Sequence, residues 1–141
     1  MNRPEPGFEI VEHTADLALR GWAADLPGLC AVMARALFEV IADTKTVLPR
    51  VTRQVRVAAE TDEDLLHDWL EELNTLHQIR GEIYSRFTVR VEGGTLTAEV
   101  IGETLDPARH DLRIEIKAVT WHGLRVQRGP EGLDAYVLLD I

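Results

Sequence analysis

The sequence predicts an α+β fold: a mixed β-sheet of about six to seven strands carrying two amphipathic helices packed on one face. Three observations lead there. Two segments, residues 26–43 and 62–80, place their apolar side chains at helical intervals. Much of the remaining chain alternates apolar with polar residues, the period of a strand. Two of these alternating segments flank Gly93-Gly94 and match one another in register.

The first strand spans residues 15–22, where Leu17 and Leu19 point one way and Asp16, Ala18 and Arg20 the other. The first helix follows, with apolar residues at 29, 33, 36, 37, 40 and 41, Asp25 as its N-cap and Pro27 in its first turn. Residues 51–58 return to strand alternation. Thr61 caps the second helix, and Asp62, Glu63 and Asp64 set negative charge at its positive end. Its apolar stripe is Leu65, Leu66, Trp69, Leu70, Leu73 and Leu76, and Gly81 is its stop signal. A two-residue turn at Gly93-Gly94 sets Val91 against Leu96, Val89 against Ala98 and Phe87 against Val100, all six on one face. Residues 112–120, 124–127 and 133–141 complete the strands.

The 141 residues, 45% of them hydrophobic, are sized for a single domain, residues 1–141. Such a domain buries roughly two-thirds of its unfolded surface and folds without a disulfide. The one cysteine, Cys30, reads as a small core residue. Residues 1–9 contain no apolar run of the kind a secretory signal needs, and the most apolar segment, 29–42, is interrupted by Arg35 and Glu39 and too short for a bilayer. A cytoplasmic protein without membrane association is expected. With 24 acidic against 15 basic residues, the net charge of −9 opposes direct stable nucleic-acid binding and suits a basic protein surface or a bound cation.

Strand parity narrows the candidate chemistry. Asp16 lies opposite Leu17 and Leu19; Lys117 lies opposite Leu112, Ile114, Ile116 and Ala118; Asp140 lies opposite Ala135, Val137 and Leu139. If the apolar sets face the helices, all three polar residues share the other face of the sheet. Taken alone, they read first as ordinary solvated side chains. The chain ends Leu138-Leu139-Asp140-Ile141, so Asp140 and the terminal carboxylate offer adjacent oxygen ligands, with Asp16 as a third. Oxygen-only ligation suits calcium, magnesium or manganese rather than zinc or copper. His13 stands at a ligand-like spacing from Asp16, but no zinc motif is present, and His67, His77, His110 and His122 read as structural or surface residues. Neither a phosphate-binding loop nor a dinucleotide fingerprint occurs, and Ser85 is the only serine.

Six segments carry a further signal: 8–16 (FEIVEHTAD), 37–44 (LFEVIADT), 65–73 (LLHDWLEEL), 102–110 (GETLDPARH), 117–124 (KAVTWHGL) and 137–141 (VLLDI). In this combination and order the chain resembles the archease family over nearly its whole length. The resemblance implies a protein cofactor rather than an enzyme. Its partner would be the GTP-dependent tRNA-splicing RNA ligase of the RtcB type, whose active-site histidine archeases help to guanylylate. They also let that ligase turn over repeatedly and broaden its nucleotide use. The resemblance further implies a divalent-metal site at Asp16, Asp140 and Ile141, the last through its backbone carboxylate. Calcium is the first expectation for the metal, with magnesium or manganese as alternatives. Lys117 and His13 are expected to act in activating the partner. Two other classes stay open: a metal-dependent phosphoester hydrolase with His13 as base, and a general chaperone or interaction module.

Overall fold

The computed structural model describes residues 5–12 and 15–141. In chain order the elements are β1 (Gly7–Glu12), β2 (Asp16–Ala23), α1 (Leu26–Ile41), a 3₁₀ turn (Thr44–Thr46), β3 (Val51–Ala58), α2 (Asp62–Arg80), β4 (Glu82–Glu92), β5 (Thr95–Thr104), β6 (Ala118–Val119), β7 (Arg125–Gly129) and β8 (Gly132–Asp140). The α+β class with two helices is what the residues predict. The strands, however, form two sheets rather than one mixed sheet, and every pairing is antiparallel. One sheet has the order β1-β2-β8-β6, and the other β3-β5-β4. Because β2 pairs along all of β8, β6 and β7 share the opposite edge of that strand.

The first helix explains the division. The six apolar positions that mark one face understate its apolar surface, because Leu26, Cys30, Val32 and Ala34 are also buried and Arg35 is its one exposed residue. A helix apolar nearly all round must be covered on several sides. Accordingly α1 packs on β1 and β2 of one sheet and on β4 of the other, while α2 covers β3, β5 and β6. The indole Nε1 of Trp69, fully buried on α2, donates to the Cys30 carbonyl of α1 at 2.9 Å, tying the helices together without orphaning a polar group. The Cys30 thiol is pushed up to about 12 by burial, which leaves it inert.

The local signals hold in detail. Asp25 Oδ1 accepts from the Gly28 amide at 2.8 Å and caps α1. Thr61 Oγ1 accepts from the Asp64 amide at 3.1 Å, and Gly81 ends α2 with φ +63°. Gly93 and Gly94 both have positive φ, +58° and +76°, which is the requirement of a type I′ hairpin turn. Phe87 pairs with Val100, Val89 with Ala98 and Val91 with Leu96, in the expected register.

Two strand expectations need correction. The alternation through residues 112–120 forms a strand only at Ala118–Val119, with one isolated bridge from Leu112 to Ala42. The intervening backbone finds its partners elsewhere. The Arg113 amide donates to Ile41 O at 2.8 Å, and the Ile116 carbonyl accepts from Asn74 Nδ2 at 3.0 Å and Gln78 Nε2 at 2.9 Å. Helix ends and amide side chains thus satisfy groups that a neighbouring strand would otherwise pair. In addition, residues 7–12 form a strand that is not among those expected above.

Candidate functional site

Strands β2 and β8 run antiparallel with Leu17 opposite Leu139 and Asp16 opposite Asp140. Both leucines are buried in the core, so the next residue on each strand, Asp16 and Asp140, turns to the other face of the sheet. Ala118 of β6 stands on the far side of Asp140 in the same row, and its small side chain leaves that flank open. Cross-strand partners hold their Cβ atoms about 4.5–5.5 Å apart, and like charges at that distance destabilise a sheet. Asp140 is exposed and Asp16 half-buried. Among the described residues, Asp16 Oδ1 is buried without a hydrogen-bond partner. An orphaned carboxylate oxygen beside a second carboxylate is costly unless positive charge is supplied. This oxygen-only pair therefore fits a hard divalent cation. No group of three or more His, Cys, Asp or Glu side chains among the described residues could hold a metal. The pair would need further oxygen ligands, such as a main-chain carbonyl.

Lys117 reaches this corner for a different reason from the one its alternation suggests. Within β6 the inward residue is Val119, paired with buried Leu139, and not Ala118. Parity with Ala118 therefore does not place Lys117. Its amide instead donates to the Asp140 carbonyl at 2.8 Å, and its side chain is exposed. His13 lies outside the described residues.

The archease protein family matches the chain over residues 8–141. The chain belongs to the archease family. A Pyrococcus abyssi archease is 38% identical to it over 129 residues, 89% of this chain and 91% of that one. Protein 1598 of Methanobacterium thermoautotrophicum, solved in solution, superposes with a TM-score of 0.85 at 33% identity, covering 96% of this chain and 99% of its own. The crystal structure of a Thermotoga maritima archease, named there a possible chaperone, shares the fold with a TM-score of 0.65 at 24% identity and covers 100% and 98% of the two chains.

Other motif residues of this archease have structural roles, one set away from this corner and one beside it. In the 102–110 segment, Glu103 is buried and accepts from the Leu48 amide at 2.6 Å, from Arg109 Nη2 and from His110 Nε2 at 3.0 Å. The Asp106 amide donates to His110 Nδ1 at 2.8 Å, which fixes the proton on Nε2. The Arg109 guanidinium and the other donors hold the Glu103 carboxyl well down, at about 2. His110 thus serves as a structural donor in a clasp between the end of β5 and the 3₁₀ turn. In the 117–124 segment, buried His67 of α2 donates from Nε2 to the Val119 carbonyl at 2.8 Å, while Glu71 Oε2 accepts from the Val119 amide at 3.3 Å. These contacts dock β6 on α2 and with it the main chain beside Asp140. Sequence reasoning passed over Trp121, which is 54% exposed and stacks on the His67 ring with 3.5 Å between centroids. Among the described residues no helix is long and apolar enough to cross a membrane.

Proposed function

We propose that this archease is an activator of a GTP-dependent RNA ligase of the RtcB type and promotes its guanylylation and repeated turnover. The observation that carries the reading is the Asp16–Asp140 pair, set opposite one another across β2 and β8 with Asp16 Oδ1 left without a described partner. Asp16 and Asp140 would hold the divalent cation, calcium before magnesium or manganese, with the Ile141 carboxylate as the third group that the family resemblance implies. A cation there would supply positive charge where a nucleotide triphosphate meets the ligase.

The chain's own part is positional. Leu17 and Leu139 anchor the two carboxylates from beneath, so their spacing is set by a rigid sheet rather than a loop. The docking of Val119 on His67 and Glu71 holds β6, and the Lys117 amide bond to Asp140 fixes the backbone at the same corner. Lys117, exposed beside that corner, would meet a carboxylate or phosphate of the ligase. Overall acidity, a net charge of −9, supports a protein partner with a cationic site over direct RNA binding.

The test is a ligation assay with the cognate ligase, GTP and a cleaved RNA, run with substrate in excess over enzyme. Multiple turnover should require this protein, and the protein alone should neither ligate nor hydrolyse. Sustained phosphoester hydrolysis by the purified protein, abolished by Asp16→Ala, would put the hydrolase in its place. Equal ligase turnover with and without the protein would reject activation.

A further inference from the structure

Trp121 is the exposed aromatic side chain that the site described above does not use. It lies in the turn of residues 120–124, between β6 and β7, where the chain leaves the edge of β8 and returns to it. One ring face lies flat on His67, with an interplanar angle of 15°. His67 is itself immobilised by the Val119 carbonyl at 2.8 Å and by Asp68 Oδ1, 3.0 Å from its Nδ1. Trp121 is therefore held in one orientation although more than half of it is in water. The inner ring face covers His67, while the rest of the indole is left to water, the amphipathic arrangement typical of aromatic residues at interfaces.

The indole also walls an open cavity of about 520 Å³, whose other lining residues are Ala58, Ala59, Glu60, Asp64 and Asp68. Three carboxylates, an aromatic wall and two alanines line it, and of the carboxylates Asp68 already meets His67 Nδ1. Nothing in that lining can repel a cation. The chain gives an internal example of what such carboxylates take. Two residues before Asp64, in the same first turn of the helix, Asp62 accepts the guanidinium of Arg128 at 3.1 Å. Asp64 and Glu60, which line the cavity itself, form no ion pair with a described residue.

We infer that Trp121, Glu60, Asp64 and Asp68 form a docking pocket for an arginine or lysine side chain presented by a basic partner protein. A guanidinium stacked on an indole gains a cation–π attraction, larger where water is excluded. The flanking carboxylates add charge-assisted hydrogen bonds. The pre-set indole loses little rotamer freedom on binding, which favours it as an anchor. The pocket is separate from the Asp16–Asp140 pair, but both flank β6, so one partner can engage both. Taking that partner to be the ligase rests on the function proposed above; the chemistry of the pocket does not.

Two measurements separate these claims. In the first, ¹H–¹⁵N spectra of the whole chain are recorded while N-acetyl-arginine amide is added, with the uncharged isostere N-acetyl-citrulline amide as control. Saturable shifts at the Trp121 indole and at residues 58–68 are expected with arginine only. They should vanish in Trp121→Ala and weaken in Glu60→Gln. Equal responses to arginine and citrulline, or an unchanged titration in Trp121→Ala, would overturn the pocket. In the second, ligase turnover is followed against the concentration of wild type, Trp121→Ala and Glu60→Arg, each checked by a melting curve. The concentration for half-maximal activation should rise by about tenfold with the maximum unchanged, the equivalent of about 1.4 kcal/mol. Unchanged half-activation by folded variants would overturn docking of the ligase there. Absence of activation by the wild type would instead reject the function reading, and the arginine titration would still decide the pocket.

Discussion

Replacing Asp16 by Asn tests the electrostatics of the corner without disturbing its shape. In the metal-free protein, Asp16 and Asp140 are carboxylates directly opposite one another across β2 and β8. Like charges so placed cost about 0.2–1 kcal/mol. The neutral amide removes that repulsion. A domain of this size shifts its midpoint by about 3 °C per kcal/mol, so Asp16→Asn should melt roughly 1–3 °C above wild type in chelator. Saturating calcium should reverse the order. A ligand at a hundred times its Kd stabilises the folded state by about 2.7 kcal/mol, which lifts the wild type by roughly 8 °C. The variant, with half of the side-chain carboxylate set gone, should gain little. The assay is a pair of calorimetric scans, with chelator and with calcium. A variant that melts below wild type in chelator, or an equal calcium shift in both proteins, would refute the reasoning.

Glu103→Gln should cost about 2–3 kcal/mol at neutral pH in urea unfolding, because the carboxylate is buried and three groups donate to it. The Glu103 pKa is depressed on folding, so its contribution is complete above the ordinary carboxylate value near 4.5 and fades as pH falls towards about 2. The gap between wild type and Glu103→Gln should therefore narrow across that window, and a gap independent of pH would contradict the clasp. Gly94→Ala should lower stability by about 1–2 kcal/mol in the same unfolding assay, since φ is +76° and a Cβ would stand 2.8 Å from the Ala59 carbonyl oxygen. Lys117→Ala should leave calcium binding and the melting midpoint unchanged while ligase activation is lost, whereas a peptide fused after Ile141 should weaken calcium binding in a calorimetric titration.

Much of the fold is legible because its signals are local. Asp25, Thr61 and Gly81 mark helix ends through their own side chains or φ angles, and Gly93-Gly94 sets a hairpin register by turn geometry alone. The partition into two sheets is not local. It depends on β2 finding β8 at the far end of the chain, a pairing no short window encodes. The nearly all-round apolar surface of α1 is the one sequence signal that calls for a second sheet. Residues 112–117 mislead for a related reason. Their alternation is real, but Asn74 and Gln78 of α2 take the Ile116 carbonyl that a strand partner would need. At the candidate site, parity alone puts Asp16 and Asp140 on the face away from Leu17 and Leu139, but only the register brings them opposite one another. Lys117 arrives there by a backbone bond that its side-chain pattern does not record. Trp121 has no sequence signature of exposure, since an isolated aromatic in a short turn reads equally well as core.

The central claim is that this archease activates its ligase through the carboxylates at the β2–β8 corner. It is tested most directly by measuring ligase guanylylation from labelled GTP with calcium present. The assay compares no added protein, wild type, Asp16→Ala and Asp140→Ala, the variants first shown to melt within a few degrees of wild type. Wild type should raise the extent and rate of guanylylation, and both variants should leave the ligase at its unassisted level. Full stimulation by folded Asp16→Ala and Asp140→Ala would contradict the claim.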